Sequence, residues 1–279
     1  MKTVILSLLS AALLAFAAAA AFVWLGLYDI SALTSHTRPV YWLLETTMRQ
    51  SVRARAAGIE APSLREPQRL ALGAACYRQH CVQCHGGPGV APGAPGQGLQ
   101  PLPGSLVDAA RRWRPEEVYW ITRHGIKMSG MPAWELRLSD EQLWAVVAFV
   151  DRLAEMSPAD YGQATAAAPG DCASPPSTAD TRPLRPRSRR EQAQVALRQY
   201  ACIACHRVPG VVGPDTEVGP PLEHFARRTA LPGGLPNNRQ NLVRWLLEPQ
   251  QVHPGTAMPE MRLTEHHAAL IADYLLEAD

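Results

Sequence analysis

The run Cys81-Val82-Gln83-Cys84-His85 recurs in kind as Cys202-Ile203-Ala204-Cys205-His206, and this repeated C-x-x-C-H pattern constrains the chain more than any other feature. Two thiols one helical turn apart can add to the vinyl groups of a porphyrin, and the adjoining histidine then ligates its iron; this is how c-type haem is attached. A lone C-x-x-C would serve equally as a redox dithiol or as half of a zinc site. The histidine after each pair argues for haem, and does so twice. The expectation is therefore two covalently bound haem c groups, one held by Cys81, Cys84 and His85 and the other by Cys202, Cys205 and His206.

A chain of 279 residues has room for two domains of ordinary size, and the spacing of the motifs favours two. The formal charge of +2 gives no overall basicity for a nucleic-acid partner, and none is expected. Lys2 and Lys127 are the only lysines. Any basic docking surface would be built from guanidinium groups, which suit bidentate contacts to carboxylates. Of the six cysteines, Cys76 and Cys172 fall outside the motifs. An exported chain would allow a disulfide between them, but connectivity is not legible in spacing. The simpler expectation is a buried Cys76 and an incidental free thiol at Cys172.

Val4 to Leu27 is almost unbroken apolar sequence between Lys2 and Asp29, long enough to span a bilayer as a helix. Trp24 and Tyr28 stand where interfacial aromatic anchors belong. Residues 1–30 are read as an uncleaved anchor; a cleaved signal peptide is the competing reading, because Ala17 to Ala21 offers several A-x-A-like sites. Over 37–58, Val40, Leu43, Leu44, Thr47, Met48 and Val52 recur at helical spacing, giving an amphipathic helix that would rest on a membrane, a partner or the first domain.

A first domain is expected over 66–156. A helix from Pro67 leads into the haem motif, and the glycine- and proline-rich stretch from Gly86 to Gly104 then forms a loop. Pro115 opens a second helix, as proline does at a first helical position. Ser139 with Gln142 makes a capping box for a last helix bearing Leu143, Val146, Val147 and Val150 on one face. Residues 157–189, rich in proline, alanine and arginine, read as a flexible linker. A second domain over 190–279 repeats the plan. Met131-Pro132 followed by Arg137-Leu138-Ser139-Asp140 corresponds to Met258-Pro259 followed by Arg262-Leu263-Thr264-Glu265, while Phe149 answers Tyr274 and Trp120 answers Trp245.

An electron-carrying haem usually has a second axial ligand. Met131 and Met258 are the candidates, with Met128 and Met261 as neighbouring rivals and His124 and His253 as a bis-histidine alternative. Thioether sulfur opposite histidine favours the ferrous state and would leave neither iron open to substrate. Trp120 and Trp245 are candidates to hydrogen-bond a haem carboxylate, though an apolar helix face is reason enough for each. The ligand histidines need acceptors for their other ring nitrogen. Pro220 supplies a plausible carbonyl in the second half, and Pro103 is the nearest analogue in the first.

On these residues both halves resemble class I cytochrome c domains, the second more closely through Gly219-Pro220-Pro221-Leu222, Leu235-Pro236-Asn237 and Pro254-Gly255-Thr256-Ala257-Met258-Pro259. The resemblance implies an all-α fold: two tandem cytochrome c domains joined by a linker and preceded by a transmembrane helix. It also implies one-electron transfer between larger redox partners. The anchor is similar to that of membrane-bound dihaem cytochromes that serve a terminal oxidase. The reading that follows is an electron carrier rather than an enzyme, on the periplasmic side of a bacterial inner membrane. Its donor would be a quinol-oxidising cytochrome complex or a dehydrogenase, its acceptor a haem–copper oxidase, and no small-molecule substrate is expected. The alternatives are a dihaem peroxidase or thiosulfate-oxidising enzyme, which would need a labile sixth ligand, or a fixed haem subunit of an oxidoreductase complex.

Overall fold

Helices make up all the regular structure in the computed structural model, which describes residues 1–168, 170–172, 187–216 and 218–277. The extended contacts among them are two isolated bridges, Gly87 with Val90 and Ala230 with Pro236. The first helix, α1 (Lys2–Trp24), has a mean hydropathy of 2.4 over its most apolar window, none of which is buried. At about 1.5 Å per residue it is long enough for a hydrocarbon layer of about 30 Å. Among the described residues it is the one helix long and apolar enough to cross a membrane.

Pro39 lies in the first turn of α2 (Arg38–Ala56), and the two ends of this helix differ. Val52 and Ala56 are buried near its C-terminus, against the first half of the chain, and the Arg49 guanidinium lies 5.0 Å from the Trp113 ring centroid. Tyr41, Trp42, Leu43 and Leu44 near its N-terminus are all exposed. The amphipathic pattern expected over 37–58 thus serves packing in its last two turns.

The first half follows with α3 (Pro67–Cys76), α4 (Val82–His85), α5 (Ala94–Gln97), α6 (Ala109–Arg112), α7 (Pro115–His124) and α8 (Asp140–Arg152). Prolines at the first positions of α3 and α7 supply a preset φ where no N–H is needed. In the box that starts α8, the Gln142 amide N–H donates to Ser139 Oγ at 3.2 Å, and the Ser139 N–H to Gln142 Oε1 at 2.7 Å. The pair α3 and α8 forms the most extensive helix contact among the described residues. Gly73 permits it: a Cβ there would stand 2.0 Å from the Ala145 carbonyl oxygen. A larger side chain would have to force the helices apart, exposing the Leu143, Val146 and Phe149 face that α8 buries.

The expected linker does not begin at 157. Ser157 caps a further helix, α9 (Pro158–Ala167), whose Tyr161 is buried against Tyr77 and Phe149 at centroid distances of 6.3 and 6.1 Å. The Arg78 guanidinium donates to the carbonyls of Thr165 and Gly170, and Cys172 is joined to Cys76 by a disulfide. Cys76 is buried on α3 as expected, while the expectation of a free thiol at Cys172 is corrected. The Ser157-x-x-Asp160 box signals the helix, but the proline-rich composition around it masks that signal. The remainder of the expected linker, 173–186, lies outside the described residues.

The second half holds α10 (Arg189–Gln199), α11 (Arg239–Leu247), α12 (Pro249–Val252) and α13 (Glu265–Glu277). Helices α10 and α11 both pack on α13, where Ala193, Ala196, Ala268 and Ala272 are buried together with Leu197, Leu242, Trp245 and Ile271. Each half has its own apolar core.

Candidate haem sites

In the first half the C-x-x-C-H run is the end of one long helical rod. Helix α3 passes through a wide turn, Tyr77–Cys81, into α4, which Gly86 ends with φ +64. Three- and four-residue spacing on such a rod puts Cys81, Cys84 and His85 on one side. Tyr77 secures the exit by donating its hydroxyl to the Gly86 carbonyl at 2.7 Å. Helix α5 lies directly against α4: the Gly93 N–H donates to the Gln83 carbonyl at 2.9 Å, and a Cβ on Gly96 would stand 2.8 Å from Cys84 Cα.

The His85 ring is oriented from behind. Its Nδ1 lies 2.8 Å from the Gly104 carbonyl, one residue beyond the expected Pro103. A carbonyl can only accept, so the neutral ring carries its proton on Nδ1 and keeps its Nε2 lone pair for a metal. Burial pushes the His85 pKa down, against the opposing pull of that hydrogen bond, and favours the neutral form that ligation needs.

The second motif reaches the same arrangement by a different backbone. Helix α10 stops at Gln199, Ala201 takes left-handed φ +54, and Cys202–Ala204 form a short 3-10 turn. His206 Nδ1 lies 2.8 Å from the Pro220 carbonyl. Gly219 passes under the ring so closely that a Cβ would stand 2.3 Å from His206 Cε1, and its N–H donates to the Cys205 carbonyl at 2.7 Å.

The four motif thiols are free and none is fully exposed. Burial, aided by Cys84, pushes the Cys81 thiol up to about 12, and burial pushes Cys202 up to about 11. A reactive dithiol has its thiol pKa lowered, so this environment speaks against a disulfide oxidoreductase. Among the described residues no three His, Cys, Asp or Glu side chains converge as a closed zinc site requires. Apolar surroundings for the thiols and a histidine presenting Nε2 fit a covalently attached haem.

The methionine loops share one device. Ser129 Oγ accepts from the Met131 N–H at 3.2 Å, and Thr256 Oγ1 accepts from the Met258 N–H at 3.3 Å. Both methionines are half-buried; Met258 and its rival Met261 pack against the second core, whereas Met128 is 97% exposed. Gln250 adds a second hold on its loop, donating to the carbonyls of Thr256 and Met258 at 2.8 and 2.9 Å. His124 Nδ1 contacts the Trp120 carbonyl of its own helix at 3.0 Å, and His253 is exposed. Trp245 is buried in the second core, while the half-buried Trp120 lies against His124 at 4.8 Å. Sequence reasoning missed His80, whose ring lies 4.7 Å from Trp134 on the first methionine loop and whose Nε2 is buried without a hydrogen-bond partner. It also missed Gly104 and the ring-facing role of Gly219, since neither contact is local.

Residues 68–150 match the family model of cytochrome c oxidase, cbb3-type, subunit III. The chain is 35% identical over 68 residues to a cytochrome c oxidase subunit 2 of Alkalihalophilus pseudofirmus, an alignment covering 24% of this chain and 19% of that protein. It is 32% identical over 85 residues to a cytochrome c oxidase subunit 2 of Bacillus sp. strain PS3, covering 29% and 24%. The chain thus spans about a fifth to a quarter of the length of these curated relatives. No solved structure matches it. These matches support a c-type cytochrome with covalently bound haem c, working in electron transfer.

Proposed function

We propose that this chain is a membrane-anchored dihaem cytochrome c that passes single electrons towards a terminal haem–copper oxidase. Haem c supplies a one-electron ferric–ferrous couple. In this reading Cys81, Cys84, Cys202 and Cys205 form the thioethers, His85 and His206 are the proximal ligands, and Met131 and Met258 complete the coordination. Trp120 and Trp245 flank the two sites, and the Pro220 carbonyl fixes the tautomer of His206. Helix α1 anchors the chain with both halves outside the cytoplasm.

One observation favours two haems over one. The histidine of each motif is turned by a main-chain carbonyl at the same 2.8 Å, although the two backbones differ. Two unlike backbones that converge on one histidine geometry, each with a methionine loop tied by a hydroxyl, argue for the same cofactor in both halves. Both relatives are oxidase subunits, which favours a second arrangement, a permanent oxidase subunit rather than a mobile carrier.

The test is an anaerobic redox titration of the detergent-purified protein with a haem count, a near-infrared spectrum and low-temperature EPR. Two low-spin haems per chain, each with a methionine-to-iron charge-transfer band, are expected. A single haem, or a high-spin iron, would overturn the carrier reading. Purification in mild detergent separates the arrangements: constant co-migration with an oxidase marks a fixed subunit.

A further inference from the structure

The segment just after Met131 belongs to both halves of the molecule. Its backbone is pinned to the end of α7, where the N–H groups of Trp134 and Glu135 donate to the Arg123 carbonyl at 3.1 and 3.0 Å and the Ile126 N–H donates to the Met131 carbonyl at 3.2 Å. Glu135, Leu136 and Arg137 meet the second half. Glu135 Oε2 accepts from Arg187 Nη1 at 2.9 Å, Leu136 packs on the second core, and Arg137 Nη2 donates to the Gln199 carbonyl at 2.9 Å with its guanidinium 5.8 Å from the Tyr200 ring centroid. Tyr200 is held in turn by His267 Nδ1 at 3.0 Å, and Cys202 follows two residues later.

Glu135 is the hinge of this arrangement. It is 6% exposed, and its other oxygen accepts from Arg123 Nη2 at 3.1 Å and Nε at 3.3 Å. Arg123 is 1% exposed and is also bound to the Tyr119 hydroxyl at 2.6 Å and Asp140 at 3.3 Å. Burial alone would raise the Glu135 pKa, yet Arg187, Arg123 and the nearby His124 together hold the carboxyl below its usual range. A buried carboxylate between two guanidinium groups loses much of its compensation when either is removed. One of the two, Arg187, stands two residues before α10, the first helix of the second half.

We propose that Glu135 is a positioning residue for the Met131 loop, and that the second half of the chain, docked through Arg187 and Arg137, supplies part of the hold on that loop. The hold on Met131 as an iron ligand rests on the dihaem reading above; the docking itself does not. Docking then does two things: it holds the two halves against one another in the folded protein, and it resists displacement of the methionine by an external ligand.

The experiment uses the full-length holoprotein and its R137A/R187A variant, with R187K as the conservative control. Small-angle X-ray scattering reads docking, and amide hydrogen exchange at Ile126, Trp134 and Glu135 reads the loop. Imidazole binding to the ferric protein reads access to each iron. In R137A/R187A the scattering radius should grow, exchange at the three amides should rise at least tenfold, and imidazole affinity should rise at least fivefold at the first iron only. R187K should stay within twofold of the parent. Unchanged exchange and imidazole affinity in R137A/R187A would overturn the proposal, whether or not the halves separate. A haem count below two in the parent protein would instead sink the dihaem reading, and the exchange data would still decide the docking.

Discussion

The two halves place a C-x-x-C-H histidine in the same geometry but hold their frames together differently. In the first, the motif continues a helix whose last residue, Cys76, is locked by disulfide to Cys172, and a strapping helix covers Tyr77 and Phe149. Every buried polar or charged side chain among the described residues, Glu117, Thr122, Arg123, Glu135 and Gln142, lies in this half. In the second, the motif sits on a short turn after a left-handed alanine, and small residues and aliphatic packing do the rest. Cross-links and buried ion pairs constrain a frame before any cofactor arrives. A small core without them leans on the cofactor itself.

On the dihaem reading proposed above, removing each haem is the strongest way to break that comparison. Cys202→Ser with Cys205→Ser should lower the haem count from two to one and abolish the cooperative melting of the second half. Cys81→Ser with Cys84→Ser should cost one haem as well, yet leave the first half folded around α3, α8 and its disulfide. Far-ultraviolet circular dichroism melts of the two variants decide the matter. If both halves keep, or both lose, their transition, the proposed difference in cofactor dependence is wrong.

The disulfide comes next in size. It closes a loop of 96 residues, and constraint of the unfolded chain by a loop of that length contributes about 2–5 kcal/mol. Cys172→Ser should lower the denaturant midpoint of the first half accordingly and leave that of the second unchanged. Equal shifts in both transitions would mean that the halves unfold as one body.

Much of the helical plan was legible in the sequence because its signals are local. Pro67 and Pro115, the Ser139 box and the period of Leu143, Val146 and Val150 place α3, α7 and α8 without reference to any distant residue. Helix α9 was legible in principle, through Ser157 and Asp160, but composition outweighed the cap. The Cys76–Cys172 pairing, the Gly104 acceptor and the Glu135–Arg187 bridge each join residues far apart in the chain. Spacing contains no record of such pairings. The same limit explains why Pro103 was preferred to its neighbour: the motif fixes that an acceptor exists, while the path of a glycine-rich loop decides which carbonyl arrives.

The acceptor loops themselves give a smaller contrast. A Cβ on Gly219 would meet the His206 ring at 2.3 Å, whereas one on Gly104 would meet nothing within 4 Å. Gly219→Ala should therefore destabilise the second half by about 1–3 kcal/mol, as overpacking does, and shift the Soret band of that haem as the ring tilts. Gly104→Ala should stay within about 0.5 kcal/mol, as surface changes do. Comparable costs would show that both histidines are braced alike.

The smallest effect should be one the halves share. The hydroxyl oxygens of Ser129 and Thr256 each accept from the N–H of the methionine two positions downstream, at 3.2 and 3.3 Å, in a half-buried setting. One such hydrogen bond contributes about 0.5–1.5 kcal/mol. Ser129→Ala and Thr256→Ala should each cost that much in their own half; with Met131 and Met258 as iron ligands, as proposed, the near-infrared methionine band should weaken to match in favour of added imidazole. The second loop keeps its Gln250 clamp, so the Thr256 change should fall at the lower end. A larger loss at Thr256 than at Ser129 would mean that Gln250 depends on the hydroxyl, and that the methionine loop of the second half is the less secure of the two.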